Sequence, residues 1–295
     1  MNPFEASEYI DRIPVQEWDF AEAQLTEFFR REGFYKGYYD HNLYNLSACE
    51  VPESIMAFWI LGKVWALHQT NQMHLEWELL TNPNVRRGVF CTTTSYRREA
   101  RPKKGRHNLI FPMFEFEMHG DINDLRALEE RLLEFVGFGS KENYIHVRYL
   151  DMAERYNTQE LTDEHERMMG KEFGPVVFSE YFPEYSNPFW NMWRDMDVSR
   201  KIDVLVYGVE TVGSAQRSCN VGEMRDRFLN ISNGEYAARM FAEFSEEAVM
   251  KELNAFLKMV EKNPLVRSGG GIGMTRWIRA LKLAGIMPNF SEIMK

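Results

Sequence analysis

Four of the five residues from Gly269 to Gly273 are glycine, and Arg276 follows directly before an apolar run from Trp277 to Leu281. Glycine lacks a Cβ atom, so its backbone can approach a flat or charged group closely. The arginine adds a planar cationic fork that suits phosphate oxygens. A nucleotide-binding loop at the start of the last helix is therefore the first hypothesis, and a flexible turn at that point is the alternative.

Two common phosphate-binding motifs do not account for this segment. A dinucleotide fingerprint needs a glycine or alanine where this chain has Met274, a strand before the loop, and an acidic residue about 20 positions further on. The residues before the glycines, Lys262-Asn263-Pro264, instead predict a loop. The pattern G-x-x-x-x-G-K-[ST] does not occur in the sequence.

The composition limits the classes of protein that are possible. Of 295 residues, 44% are hydrophobic and 14% are aromatic, which excludes a disordered chain. The formal charge of −9 argues against an extended nucleic-acid surface, which needs clustered Lys and Arg. No apolar stretch is long enough for a membrane span and no signal segment is visible, so we expect a cytoplasmic protein. Cys49, Cys91 and Cys219 are far apart, which indicates neither a zinc site nor a disulfide framework.

A strongly basic segment, from Arg97 to His107, stands out in this acidic chain. The flanking segments Gly88–Thr94 and Leu109–Glu117 are rich in β-branched and apolar residues, so they predict two strands joined by a long hairpin. Charge concentrated in one loop suits an anionic ligand. A solvated hairpin tip is the alternative.

The rest of the chain predicts a mixture of helices and short strands. Helices are expected at Val15–Arg31, at Ser54–His68, after an Asp121 cap and between Gly222 and Val260, and strands at Ile145–Tyr149, Pro175–Phe178 and Ile202–Tyr207. No internal repeat or linker interrupts this pattern. We therefore expect one domain of the α+β class, with a largely antiparallel β-sheet flanked by helices.

Three segments, taken together, resemble one enzyme family. The segment Tyr96-Arg97-Arg98-Glu99, a variable loop and His107-x-x-x-Phe111-x-x-x-Glu115 resemble motif 2 of class II aminoacyl-tRNA synthetases. The pattern Gly269-x-Gly271-x-Gly273-x-x-Arg276 resembles their motif 3. Between these motifs, Ile202 to Arg217 is similar to the segment that marks the aspartyl and asparaginyl subgroup. The resemblance implies a class II synthetase-like catalytic core.

The resemblance also implies an ATP site. Activation of a carboxylate by ATP develops charge on phosphate oxygens, which bidentate cations and a metal ion stabilise. Arg97, Glu210 and Arg276 are the residues implied to be catalytic. Those implied to bind ATP are Arg97 at the α-phosphate, Arg106 or His107 and Arg276 at the terminal phosphates, Phe111 and Arg276 on the two faces of adenine, Glu99 at the adenine amino group, and Gly271 and Gly273 in the wall of the site.

The same resemblance implies the cofactor and the amino-acid substrate. Glu210, with Ser214, is expected to hold Mg²⁺, which prefers oxygen ligands. A guanidinium at Arg217 suits a carboxylate or amide oxygen, so the substrate is expected to be aspartate or a related amino acid. Glu115 or Glu117 is expected to hold its amino group, and Ser214 also lies on the substrate side.

The chain departs from a tRNA synthetase in several places. The core resemblance takes up residues 1–295, so we expect no anticodon-binding domain. Ser268 stands where aspartyl enzymes have a histidine. Thr275 stands where the aspartyl and asparaginyl subgroup has an acidic residue. The Gly269–Arg276 segment is similar to the ending of ammonia-dependent asparagine synthetase A, as are Asn45-Leu46-Ser47-x-x-Glu50 and Leu161–Arg167. Motif 2 is more similar to archaeal-type synthetase-related enzymes.

These features predict an ATP-dependent ligase that forms an aspartyl adenylate and transfers it to ammonia, giving asparagine, AMP and pyrophosphate. The resemblance implies a homodimer, and the acidic charge makes tRNA an unexpected partner. One alternative is a paralogue that passes an activated amino acid to another amine, a carrier protein or tRNA. A second alternative is an inactive paralogue that serves as a binding or regulatory subunit.

Overall fold

A computed structural model of the chain describes residues 9–39, 46, 54–99, 102–103, 108–186 and 188–290. In this part of the chain, nine strands form one sheet: β1 Phe34–Lys36, β4 Gly88–Tyr96, β5 Ile110–His119, β6 Ile145–Arg148, β7 Val176–Pro183, β8 Arg194–Asp195, β9 Val198–Val206, β10 Glu210–Gln216 and β11 Arg267–Gly273. Two further strands, β2 Ala57–Ile60 and β3 Lys63–Ala66, form a separate hairpin.

Helices cover both faces of this sheet. Their bounds are α1 Val15–Arg31, α2 Gln72–Thr81, α3 Ile122–Val136, α4 Tyr149–Arg155, α5 Asp163–Phe173, α6 Val221–Asn230, α7 Glu235–Phe244, α8 Glu246–Lys262 and α9 Met274–Leu283. Among the described residues, no helix combines the length and the apolar composition that a membrane span needs.

The strand order is β1-β4-β5-β11-β10-β9-β7-β6, and β8 pairs with β9 at the side of this path. The pairs β1–β4 and β6–β7 are parallel, and all the other pairs are antiparallel. The prediction of an α+β fold with a largely antiparallel sheet is therefore confirmed. The expected hairpin around the basic segment is also confirmed, since the whole of β4 pairs with β5, from Gly88 opposite Met118 to Tyr96 opposite Ile110.

The main hydrophobic core lies between one face of the sheet and helices α1, α3 and α9. Phe29 of α1 packs there against Phe114 and Phe116 of β5. The predicted bounds of α1 are those observed, and Asp121 caps α3 as expected, accepting a hydrogen bond of 2.8 Å from the Asn123 amide. This face provides a rigid base for the strands whose other side carries polar groups.

The other face is covered only at its ends. Helix α2 packs on β4 and β5, helices α4 and α5 pack on β7, and the α6–α8 bundle has its own core around the buried Trp190. The middle of this face, where β5, β11 and β10 run side by side, is left open as a cavity.

The glycine segment is an inner strand of the sheet, so its interpretation as a loop was wrong. In β11, Gly269 pairs with Glu117 on one side and with Ala215 on the other. A Cβ atom on Gly269 would overlap with the Phe116 carbonyl oxygen and the Glu117 side chain, and one on Gly270 would lie 2.5 Å from the Cβ atom of Ser214. The glycines therefore make room for side chains of the neighbouring strands.

The helix predicted at Ser54–His68 was also wrong, because this segment forms the β2–β3 hairpin. Leu61 and Gly62 both have positive φ, at 49° and 74°, and they form the turn between the two strands. The aromatic and β-branched residues around them favour extended backbone. Trp59 and Leu61 are 75% and 96% exposed, so the apolar run is not the buried helix that was expected.

We predict that Gly269→Ala destabilises the protein by roughly 1–3 kcal/mol, because the added methyl group overpacks the middle of the sheet. Gly273→Ala, in the same strand, is the matched control, since its nearest contact would be Arg276 Cδ at an ordinary 3.8 Å. Urea unfolding of both variants measures the difference. Equal stability of the two variants would contradict this explanation of the glycine strand.

Candidate active site

The open middle of the sheet forms a cavity of about 660 Å³, bounded by α2 on one side and the start of α7 on the other. It brings together residues that were predicted from three distant motifs: Arg97, Glu99, Phe111, Glu115, Glu117, Glu210, Ser214, Arg217, Gly271, Gly273 and Arg276. Arg106 and His107 lie outside the described residues, as does the Asn45–Glu50 stretch apart from Leu46. The roles of these residues remain predictions.

One end of the cavity is rich in arginine. The guanidinium carbon of Arg97 lies 5.2 Å from the centre of the Phe111 ring. Arg276, at the first turn of α9, donates hydrogen bonds from Nη1 to the Glu210 carbonyl oxygen at 2.8 Å and to Glu210 Oε2 at 3.3 Å. Glu99 also lines the cavity. This end can therefore offer two guanidinium groups and an aromatic face to one ligand.

Two carboxylates at this end, those of Glu210 and Asp203, form a pair that can hold a metal ion. They meet above Gly213, where a Cβ atom would lie 2.9 Å from Glu210 Oε1 and 3.6 Å from Asp203 Oδ1. Asp203 Oδ1 is buried without a hydrogen-bond partner among the described residues. Mg²⁺ is commonly bound by one or two carboxylates together with substrate phosphates, so this oxygen pair fits Mg²⁺.

The surroundings shift the pKa values of Glu210 and Asp203 in opposite directions. Burial disfavours the charged form of Glu210, but the positive charges of Arg276, Lys201 and Arg97 lower its pKa below the ordinary value. Burial raises the pKa of Asp203 in spite of the nearby Lys201 ammonium. In the described part of the chain, no group of three or more His, Cys, Asp or Glu side chains could hold a metal ion.

The side chain of Ser214 does not lie with that of Glu210 on the cavity face of the sheet. Side chains alternate between the two faces along β10, and the Ser214 hydroxyl lies near Glu129 of α3, which places this side chain on the α3 face. Its hydroxyl donates to the Ile202 carbonyl oxygen at 3.3 Å. Asp203 was not among the residues predicted from the sequence, although it lies in the Ile202–Arg217 segment. The antiparallel register, which pairs Asp203 with Gly213, is the signal that sequence alone does not supply.

The other end of the cavity contains a buried ion pair between Arg217 and Glu117. Arg217 Nε donates to Glu117 Oε1 at 3.0 Å and Nη2 donates to the same oxygen, while the two side chains are only 4% and 1% exposed. Glu117 Oε2 is buried without a hydrogen-bond partner in the described residues. Burial raises the pKa of Glu117, and the Arg217 charge opposes this effect. The pair thus offers a donor and an unsatisfied acceptor to a ligand.

A second buried ion pair supports the first. Arg267 Nε donates to Glu76 Oε2 at 2.7 Å, and neither side chain is exposed. Glu76 Oε1 accepts hydrogen bonds of 2.8 Å from both Asn191 and Gln72. Gln72 also lines the cavity. These residues were not predicted from the sequence, where Glu76 and Glu78 both lie within the largely apolar Met73–Leu80 stretch.

Glu115 has a local structural partner at the start of α2. Its carboxylate accepts a hydrogen bond of 2.9 Å from the backbone N–H of Asn71 and another from the Thr70 hydroxyl. Thr70 lines the cavity as well, so this contact brings the first turn of α2 to the wall of the site. Thr70 was not predicted from the sequence.

The geometry defines a cavity with an arginine-rich anion site at one end and a buried ion pair at the other, on an antiparallel sheet. The family model for class II tRNA synthetases (D, K and N) matches residues 21–285. The chain therefore belongs to this family. Among the curated proteins, none matches the chain.

Solved structures of synthetases share the fold. Asparaginyl-tRNA synthetase from Pyrococcus horikoshii, complexed with asparaginyl-adenylate, is 20% identical over 92% of this chain and 66% of that chain, with a TM-score of 0.71. Aspartyl-tRNA synthetase from Entamoeba histolytica is 16% identical over 92% and 55%, with a TM-score of 0.67. Asparaginyl-tRNA synthetase from the same organism, in complex with asparaginyl-adenylate, is 16% identical over 92% and 63%, with a TM-score of 0.68. The chain thus spans less than two thirds of the length of these proteins.

A buried glutamate on the opposite face of the sheet generates a pH-dependent prediction. Glu129 of α3 is 1% exposed, and burial raises its pKa from 4.5 to about 8, which the nearby Ser214 hydroxyl offsets only in part. Because the folded pKa lies above the unfolded value, the stability contribution of this group is lost as pH rises from about 4.5 to 8.

We therefore predict that Glu129→Gln stabilises the fold increasingly between pH 5 and pH 8, by on the order of 2–4 kcal/mol at the upper end. Unfolding free energies of the variant and the unmodified protein across this range measure the effect. Glu134→Gln, on the exposed face of the same helix, is the control and should show no such trend. A gain that does not depend on pH would contradict the assigned protonation.

Proposed function

We propose that this chain activates an amino acid of the aspartate–asparagine class by forming an acyl adenylate from ATP. The observation that carries the proposal is the shared cavity. It contains the motif residues Arg97, Glu210 and Arg276 at one end and the Arg217–Glu117 pair at the other. Adenylation needs a phosphate site and an amino-acid site in one cavity, so that the carboxylate can reach the α-phosphorus.

The arginine-rich end suits the nucleotide. Attack of a carboxylate oxygen on the α-phosphorus places growing negative charge on the phosphate oxygens, and Arg97 and Arg276 offer fixed guanidinium donors for it. Phe111 offers an aromatic face for adenine. Asp203 and Glu210 would hold Mg²⁺, which when bound neutralises part of the phosphate charge.

The ion-pair end suits the head group of an amino acid. Arg217 can donate to an α-carboxylate, while Glu117 Oε2, which has no partner in the described residues, can accept from an α-ammonium group. Aspartate held in this way directs its β-carboxylate toward the phosphate end. A β-carboxylate oxygen attacks the α-phosphorus of ATP, and the bond to pyrophosphate breaks. Ammonia then attacks the activated β-carbonyl carbon, the bond to the AMP oxygen breaks, and the extra proton of the attacking nitrogen passes to solvent. The products are asparagine, AMP and pyrophosphate.

The same pair also complements a carboxamide, which favours a second candidate. The amide oxygen of asparagine would accept from Arg217 and its NH₂ group would donate to Glu117 Oε2. Asparagine would then present its α-carboxylate for activation, and the acceptor would be tRNA, a carrier protein or another amine. The Pyrococcus horikoshii structure with asparaginyl-adenylate supports this orientation by analogy of fold alone.

Amino-acid-dependent exchange of pyrophosphate into ATP tests the proposal. We expect exchange with aspartate in the presence of Mg²⁺, and formation of asparagine, identified by mass and chromatography, when ammonium is added. Exchange with asparagine alone would favour the second orientation. Aspartate-dependent exchange without any ammonium effect on AMP formation would overturn the ammonia ligase. The absence of exchange with every amino acid would instead favour an inactive paralogue.

We predict that Arg217→Ala abolishes aspartate-dependent exchange while ATP affinity stays within about twofold, because Arg217 lies at the opposite end from the phosphates. The variant leaves Glu117 buried and unpaired, so Arg217→Met/Glu117→Leu, which removes both charges, controls for folding. Unchanged aspartate affinity in the two variants would remove Arg217 from the amino-acid site.

We also predict that Arg276→Ala weakens ATP binding by at least about tenfold, since a charge-assisted contact contributes roughly 1.5–3 kcal/mol. Arg279→Ala, one turn further along α9, is the matched control. Intact ATP affinity in Arg276→Ala would contradict the assignment of this arginine to the nucleotide.

A further inference from the structure

Lys201 is a cation of the cavity that none of the sequence motifs includes. It lies on β9 and lines the cavity at the end that holds Asp203 and Glu210. Its ammonium group is 2.6 Å from Asp203 Oδ2 and 3.9 Å from the centre of the Phe182 ring. A carboxylate on one side and an aromatic face on the other thus hold the ammonium in place.

The environment of Lys201 is that of the proposed phosphate site. Lys201 lines the same cavity as Arg97, Arg276 and Glu210, and Arg276 Nη1 donates to Glu210 Oε2 at 3.3 Å. The two carboxylate oxygens of Asp203 have different neighbours. Oδ2 accepts a hydrogen bond from Lys201, whereas Oδ1 and Glu210 Oε1 both lie beside Gly213. A metal ion between Asp203 Oδ1 and Glu210 would therefore have the Lys201 ammonium as its neighbour.

We propose that Lys201 binds the terminal phosphates of the nucleotide and takes the position beside Asp203 that a second divalent cation would otherwise occupy. This inference rests on the proposed function. A lysine ammonium is a compact point charge with three donors, and it contacts phosphate oxygens without bidentate geometry. Because Asp203 and Phe182 already fix the group, little ordering is needed when a triphosphate binds.

Comparison of two nucleotides separates a phosphate contact from a purely structural ion pair. Calorimetry with α,β-methylene-ATP and with AMP measures the affinity of the 295-residue chain in Mg²⁺ buffer. We expect Lys201→Met to weaken binding of the ATP analogue by about tenfold or more, and binding of AMP by less than about twofold, because AMP lacks the terminal phosphates. Lys201→Arg should keep most of the affinity.

Two controls keep the test interpretable. Lys36→Met removes a lysine that is paired with Glu22 outside the cavity, and it should change neither affinity. Lys201→Met/Asp203→Asn avoids an unpaired buried carboxylate, so equal unfolding midpoints of the single and double variants show that the loss of affinity in Lys201→Met does not come from misfolding. An equal loss for both nucleotides, or no loss for the ATP analogue, would overturn the phosphate contact.

Manganese counting by electron paramagnetic resonance tests the second part of the inference. We expect one tightly bound Mn²⁺ for each bound ATP analogue in the unmodified protein and a second one in Lys201→Met. A second Mn²⁺ already present in the unmodified protein would overturn the replacement of a metal ion by Lys201. If the unmodified protein binds no ATP analogue at all, the proposed function itself fails, and that outcome is distinct from a failure of the Lys201 assignment.

Discussion

The buried ion pair between Arg217 and Glu117 places the strongest demand on the rest of this structure. Two charges that are almost fully removed from water lose several kcal/mol of hydration each, and they are tolerated only with close geometry and further polar partners. Arg267 and Glu76 provide a second layer of opposite charges beneath them. The glycine strand follows from the same demand, because a side chain on Gly269 would overlap with Glu117.

The two ends of the cavity carry different combinations of charged side chains. At the ion-pair end, each positive group faces a matching carboxylate, so a ligand there must satisfy a donor and an acceptor together. At the other end, Arg97, Arg276 and Lys201 surround Glu210 and Asp203, which suits a polyanion accompanied by a metal ion. A molecule with a zwitterionic or amide group at one end and phosphates at the other is complementary to this distribution.

Local chemistry made parts of this fold predictable from the sequence. The apolar periodicity of Val15–Arg31 and the Asp121 cap are short-range signals, and the structure confirms both. The helix predicted at Ser54–His68 was wrong. The apolar content of this segment suits a buried helix, but the Leu61–Gly62 turn and the tertiary context favour a hairpin. Gln72 and Lys201 line the cavity, and Asp203 lies beside Gly213, only because of strand register and helix packing, which no single-sequence pattern encodes.

The central claim is that one cavity binds a nucleotide and an amino acid joined through a phosphate. Titration of the protein with a non-hydrolysable aspartyl adenylate analogue, an aspartyl sulfamoyl adenosine, tests it most directly. If both ends of the cavity are engaged together, the analogue should bind at least about a hundredfold more tightly than AMP or aspartate alone. Binding no tighter than that of AMP would contradict the account.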